Sequence, residues 1–133
     1  MYAGVQFYFD IPVGHLWRHE LSAKDRNTGR AMIFDEPGWV ATCVLRDSTG
    51  TQLAVLNNAG TGDGAIVLGT GMVALELDAG FTATLAPTTA YRPMASKAFV
   101  YADVSLTDPQ QPGQPFVLAR GKGVVYLPTT VTP

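Results

Sequence analysis

Between Trp39 and Arg46 the chain alternates: Trp39, Ala41, Cys43 and Leu45 fall on one side, Val40, Thr42, Val44 and Arg46 on the other. A period of two places each set on one face of an extended strand. Asp47-Ser48-Thr49-Gly50 breaks the run with turn residues, and a second apolar run leads to Leu56. Residues 38–56 therefore read as a β-hairpin. The same period recurs. Val5, Phe7 and Phe9 alternate with Gln6, Tyr8 and Asp10, and Pro12, which cannot donate to a ladder, marks a strand end. Trp17, His19 and Leu21 alternate with Leu16, Arg18 and Glu20, and Val73, Leu75 and Leu77 with Ala74, Glu76 and Asp78. Further strands are predicted over Arg30–Phe34, around Ile66 and Leu68, over residues 98–106, and over Phe116–Ala119 and Gly123–Leu127.

Two places break the alternation. Tyr101-Ala102-Asp103 interrupts the strand over 98–106, which predicts a bulge there. Residues 78–85 predict one short helical turn: Asp78 can cap it, Phe81 and Leu85 share a face, and Pro87 stops it. Many short strands with one buried face each imply an all-β fold, a sandwich or small barrel of antiparallel strands; a single antiparallel β-sandwich, built as one domain over residues 1–133, is the expected form. Trp17, Trp39, Phe81, Phe99 and Phe116 are its expected buried aromatics.

Composition narrows the chemistry more than it names it. Fourteen Gly and nine Pro fit a chain with many turns. With 9 Lys+Arg against 11 Asp+Glu and no basic run, the chain is not patterned to neutralise phosphates, so no nucleic-acid partner is expected. No apolar stretch approaches the ~20 residues of a membrane span, so no membrane partner is expected either. Residues 1–12 lack a basic start followed by a small-residue cleavage site, so the chain is expected to fold in a cytoplasm. The one cysteine, Cys43, sits at an apolar strand position and reads as a buried small hydrophobe.

Each candidate site has a plainer reading beside it. His15 and His19 share a strand face but stand about 13 Å apart, too far for one metal. Residues 60–68, GTGDGAIVL, lack the lysine of a phosphate loop and read as a tight turn whose glycines supply positive φ. Asp35-Glu36 precedes Pro37-Gly38 and reads as a solvated turn. No nucleophile elbow and no Cys–His arrangement of defined spacing occurs, so no enzyme and no cofactor are expected. Five tyrosines, Tyr2, Tyr8, Tyr91, Tyr101 and Tyr126, are candidates for outward contact residues of the kind enriched at interfaces.

The stretches FDEPGWVATCVLRD, GAIVLG, MVALELDAGFTATL, FVYADVSL, GKGVVYLP and TVTP follow one another along the chain. This order of elements over residues 35–127 resembles that of small tailed-bacteriophage virion proteins with an immunoglobulin-like β-sandwich, of the upper-baseplate and tail-adaptor type. Two departures accompany the match: Ala102 separates the tyrosine from the aspartate, and residues 85–97 are long for the turn they replace. The resemblance implies a non-enzymatic virion component that docks onto copies of itself and onto other virion structural proteins, as a homo-oligomer in the particle. A tail, baseplate, collar or fibre-adaptor subunit comes first, and a capsid decoration or head-fibre protein second. The rival outside that class is a host-surface or carbohydrate-binding β-sandwich with aromatics on loops 57–64 or 86–97. Residues 1–9 and 128–133 are expected to be partner-contacting arms, with Tyr2, Phe7, Tyr8, Tyr91 and Tyr126 as candidate interface residues. The competing reading makes residues 2–10 a strand of the domain's own sheet.

Overall fold

The structure is a computed structural model that describes residues 5–25, 28–34, 36–85 and 97–127. Its elements run β1 (Val5–Pro12), β2 (Trp17–Ser22), β3 (Val40–Asp47), β4 (Gln52–Asn57), β5 (Gly64–Gly69) and β6 (Met72–Leu77). A short helix α1 (Ala79–Ala83), β7 (Lys97–Thr107) and β8 (Phe116–Tyr126) complete the chain. The fold is all-β, as the period of two requires. The strands form one mixed sheet in the order β1-β8-β7-β3-β4-β5-β6-β2.

The sheet is not purely antiparallel, because β1 lies parallel to β8 over eight residue pairs, Val5↔Ala119 to Pro12↔Tyr126. Parallel neighbours need a long connection. Here nearly the whole domain serves as that connection, since β1 opens the chain and β8 ends the described part. β4 and β5 are also parallel, yet they pair only through Leu56↔Gly64 and Asn57↔Ala65. A six-residue loop suffices because the end of one strand merely overlaps the start of the next. At the far margins, β1 and β2 share no backbone ladder. Phe7 and Phe9 of β1 instead meet His19 and Trp17 of β2, with ring centroids 5.1 and 5.4 Å apart. The sheet thus curls until its two edges meet through side chains, a nearly closed barrel of eight strands. At that strand number the interior is just wide enough for side chains to fill.

They do fill it. Ile11, Leu45, Leu56, Leu75, Leu77, Leu106, Leu118, Val100, Val104 and Val125 are all fully buried. The alternation holds best in β3, where Ala41, Cys43 and Leu45 are buried and the residues between them are partly exposed. β1 packs on β8 by a specific fit. A Cβ on Gly121 or Gly123 would stand 2.5 Å from the ring of Phe7 or Phe9, so these two glycines are the floor on which the rings lie. Residues 5–9 accordingly belong to the domain's own sheet, while residues 1–4 and 128–133 lie outside the described residues.

Several local expectations are corrected. Arg30–Phe34 is not a strand and contributes only the isolated bridge Lys24↔Ala31. Residues 116–126 form one continuous strand rather than two. Tyr101-Ala102-Asp103 alternates normally, with Ala102 inward, and the irregularity in β7 lies between Val104 and Ser105. Trp39, Phe81 and Phe116 are only partly buried, and Phe99 is exposed. The helical turn stands. Asp78 accepts from the Phe81 N–H at 2.7 Å, and Thr82, fully buried, donates to the His15 carbonyl at 2.7 Å, tying α1 to the β1–β2 turn.

Candidate contact face

Strand register builds the face. On the outer side of β1, β8, β7 and β3, the pairings Tyr8↔Lys122, Lys122↔Tyr101 and Tyr101↔Arg46 make one transverse row. Its neighbour on one side is Gln6, Arg120, Asp103 and Val44; on the other it is Asp10, Val124 and Phe99. Tyr8 is 72% exposed, Tyr101 41% and Phe99 36%. Tyr8 and Tyr101 flank Lys122 from two strands away from each other, about 10 Å. These rings stand on a rigid ladder, so they present apolar area without the entropy cost a loop would carry.

Charge is organised around them. Asp103 takes both Arg46 at 3.6 Å and Arg120 at 3.4 Å. Among the described residues Lys122 makes no ion pair, and its ammonium lies 5.8 Å from the centroid of Phe99. Exposed pairs of this kind contribute little to stability. Their use is to set the chemistry of the face, where aromatics and arginine are the residue types that anchor contacts.

Of the five candidate interface residues, the register brings Tyr8 and Tyr126 onto this one face, with Tyr126 paired to Pro12. Phe7 does not join them. It is 8% exposed and points into the barrel, because it occupies the opposite parity of β1 from Tyr8. Tyr2 and Tyr91 lie outside the described residues. Phe99 was missed as a contact residue. Its parity with Tyr101 across an uninterrupted strand was the signal, obscured by the supposed bulge.

The remaining candidates resolve into structural roles. His15 sits in the exposed turn before β2, whereas His19 is half-buried beside Phe7 and Trp17, where desolvation lowers its pKa. Cys43 is fully buried, and burial pushes its thiol up to about 12, helped by the Asp103 carboxylate. The folded protein should therefore leave a neutral disulfide reagent unreacted at pH 8, with thiol released only on unfolding; stoichiometric labelling of native protein contradicts this.

The loop after β4 is held by its own side chains. Asn58 donates to the Trp39 carbonyl at 2.8 Å and accepts from the Ala41 N–H at 3.1 Å. Asp63 stands in for a strand, accepting from the Val55 N–H at 2.9 Å while its own N–H donates to the Val55 carbonyl at 2.7 Å. Positive φ explains only Gly60 (φ 78°). Gly62 is required by space, since a Cβ there would stand 2.5 Å from the Val55 carbonyl oxygen.

Asp47 closes the β3–β4 turn. Its carboxylate accepts from the Thr49 hydroxyl at 2.6 Å, the Thr49 N–H at 2.9 Å and the Thr51 N–H at 3.0 Å, and the turn itself covers it. The Thr49 hydroxyl, with help from the backbone donors, lowers its pKa. A lowered carboxylate contributes stability above the unfolded value, about 3.9, that is lost as pH falls through the folded one. Asp47→Asn should therefore flatten part of the acid limb of a urea-midpoint titration below about pH 4. An unchanged limb would contradict the role given to this carboxylate.

Among the described residues no three His, Cys, Asp or Glu side chains converge as a metal site, and no helix is long and apolar enough to cross a membrane. No protein-family model matches the chain, and no curated protein matches it.

Proposed function

We propose that this chain is a non-enzymatic structural component of a tailed-bacteriophage virion, a tail, baseplate, collar or fibre-adaptor subunit acting through its outer sheet face. The observation that carries the contact role is the row Tyr8–Lys122–Tyr101–Arg46, which sets exposed rings and cations on a rigid four-strand surface. A module of this kind needs a stiff body and a sticky side, and no convergent ionisable site. The virion assignment rests on the resemblance of the ordered motifs in residues 35–127, and it makes the particle the site of action.

The immunoglobulin-like sandwich belongs to the same reading. The two-pair join of β4 to β5 and the unladdered β1–β2 seam divide the barrel into β1-β8-β7-β3-β4 and β5-β6-β2. Those two groups would be the layers. A capsid decoration or head-fibre role uses the same face and differs only in location. The carbohydrate-binding alternative requires rings at a loop end; loop 57–64 contains no aromatic residue, and Tyr91 of loop 86–97 lies outside the described residues.

Particles produced by the bacterium that carries the coding sequence, banded by density and analysed by quantitative mass spectrometry, test the reading. The chain should appear at a fixed copy number, and electron microscopy of the particles places it in tail or head. Its absence from particles, together with a monodisperse monomer that binds glycans, overturns it.

A further inference from the structure

Two opposite sides of the barrel carry mirror-image charge triads. On the β8-β7-β3 side one carboxylate, Asp103, is shared by two arginines, Arg46 and Arg120. Across the barrel one arginine, Arg18, is shared by two carboxylates, Glu20 at 2.9 Å and Glu76 at 3.2 Å. The strand order makes them opposite: in an eight-strand sheet whose edges meet, β6 is four strands from β7 by either route. The first triad has one surplus positive charge and the second one surplus negative charge.

Shape follows the same division. Large rings surround the positive triad. The register around the negative one carries no ring: Ala65 lies beside Glu76, and Val67 pairs with Ala74, which is fully buried and pairs in turn with Glu20. Val67 is 41% exposed there. Outside the aromatic face the described charges are mainly negative. Apart from the aromatic face, the described side chains offer only Arg18, Lys24 and Arg30 as cations against eight carboxylates.

We infer that copies of this chain associate head to tail, the Tyr8–Tyr101–Phe99 face of one seating on the β5-β6-β2 face of the next. The contact is heterologous, so it closes a ring or extends a stack and does not make a two-fold dimer. The inference rests on the assembly role proposed above and supplies its partner, a second copy. Surplus charge of opposite sign steers and registers the two faces, while the rings seated over Ala65 and Val67 supply apolar contact.

Sedimentation velocity of the full chain at low salt, against concentration, tests it. Wild type should self-associate, and association should weaken with salt. Arg120→Glu and Glu20→Arg, both at exposed side chains, should each weaken association about tenfold or more. The double variant should recover most of the loss, because every contact then pairs one reversed charge with the other. Tyr8→Ser should weaken association by a factor that is the same at low and high salt, and thermal unfolding of each variant confirms that it folds. A wild type that stays monomeric at high concentration, or a double variant no better than the singles, overturns the inference. If the chain is nevertheless present in particles, the assembly role stands and the partner is another virion protein.

Discussion

Trp17→Ala should lower the unfolding free energy by about 3–5 kcal/mol, while Trp39→Ala should cost roughly half as much. Trp17 is 4% exposed and fills the seam where the sheet edges meet, with Phe9 5.4 Å and His19 6.3 Å away between ring centroids. No ladder holds β1 to β2, so removal of the indole empties volume where, apart from the turn over residues 13–16, only side chains join the edges. Trp39 was expected to fill the core but lies only partly buried, edge-on to Phe34 at 4.9 Å. Urea midpoints at a common slope measure the two losses directly. Equal losses would mean that the seam is not closed by Trp17.

Gly123→Val is the second large effect, about 3 kcal/mol or more. Adding a side chain to a strand glycine ordinarily gains up to ~1 kcal/mol through backbone entropy. At Gly123 that gain is overwhelmed, since its Cβ would meet both the Phe9 ring and the Phe9 carbonyl oxygen at 2.5 Å. Backbone cannot swing aside as a side chain can, so β1 must lift from β8. Gly121→Ala should be milder, because only the ring atoms of Phe7 stand in its way. Hydrogen exchange should localise the Gly123→Val damage to β1 and β8. Protection of β1 equal to wild type would overturn the account of how the first strand is held.

These two sites show how far local pattern reaches. The alternation in residues 40–46 and 73–77 marked the strands and the inward positions correctly, because period-two facing is a property of each strand alone. The cap at Asp78 was legible for the same reason: cap and recipient lie three residues apart. Phe99 and Trp39 were misjudged because strand parity names a face, whereas burial depends on what lies over that face. Nothing local explains the glycine pair 121/123, whose cause is a ring arriving from more than a hundred residues earlier. The contact face follows the same logic. Tyr8 and Tyr101 were visible singly as outward candidates, and only the register made them neighbours of Lys122, which lay between two predicted strands.

By itself the sequence determined the all-β class, most strand positions, the short helix and the buried, inert state of Cys43, because each is settled within a few residues. Tertiary structure decided that β1 runs parallel to β8, that the sheet curls edge to edge, and that Arg46–Asp103–Arg120 lies opposite Glu20–Arg18–Glu76. Those features come from pairing between strands remote in the chain. Such pairing is chosen by the total burial and hydrogen bonding of the folded sheet, which no short window of residues contains.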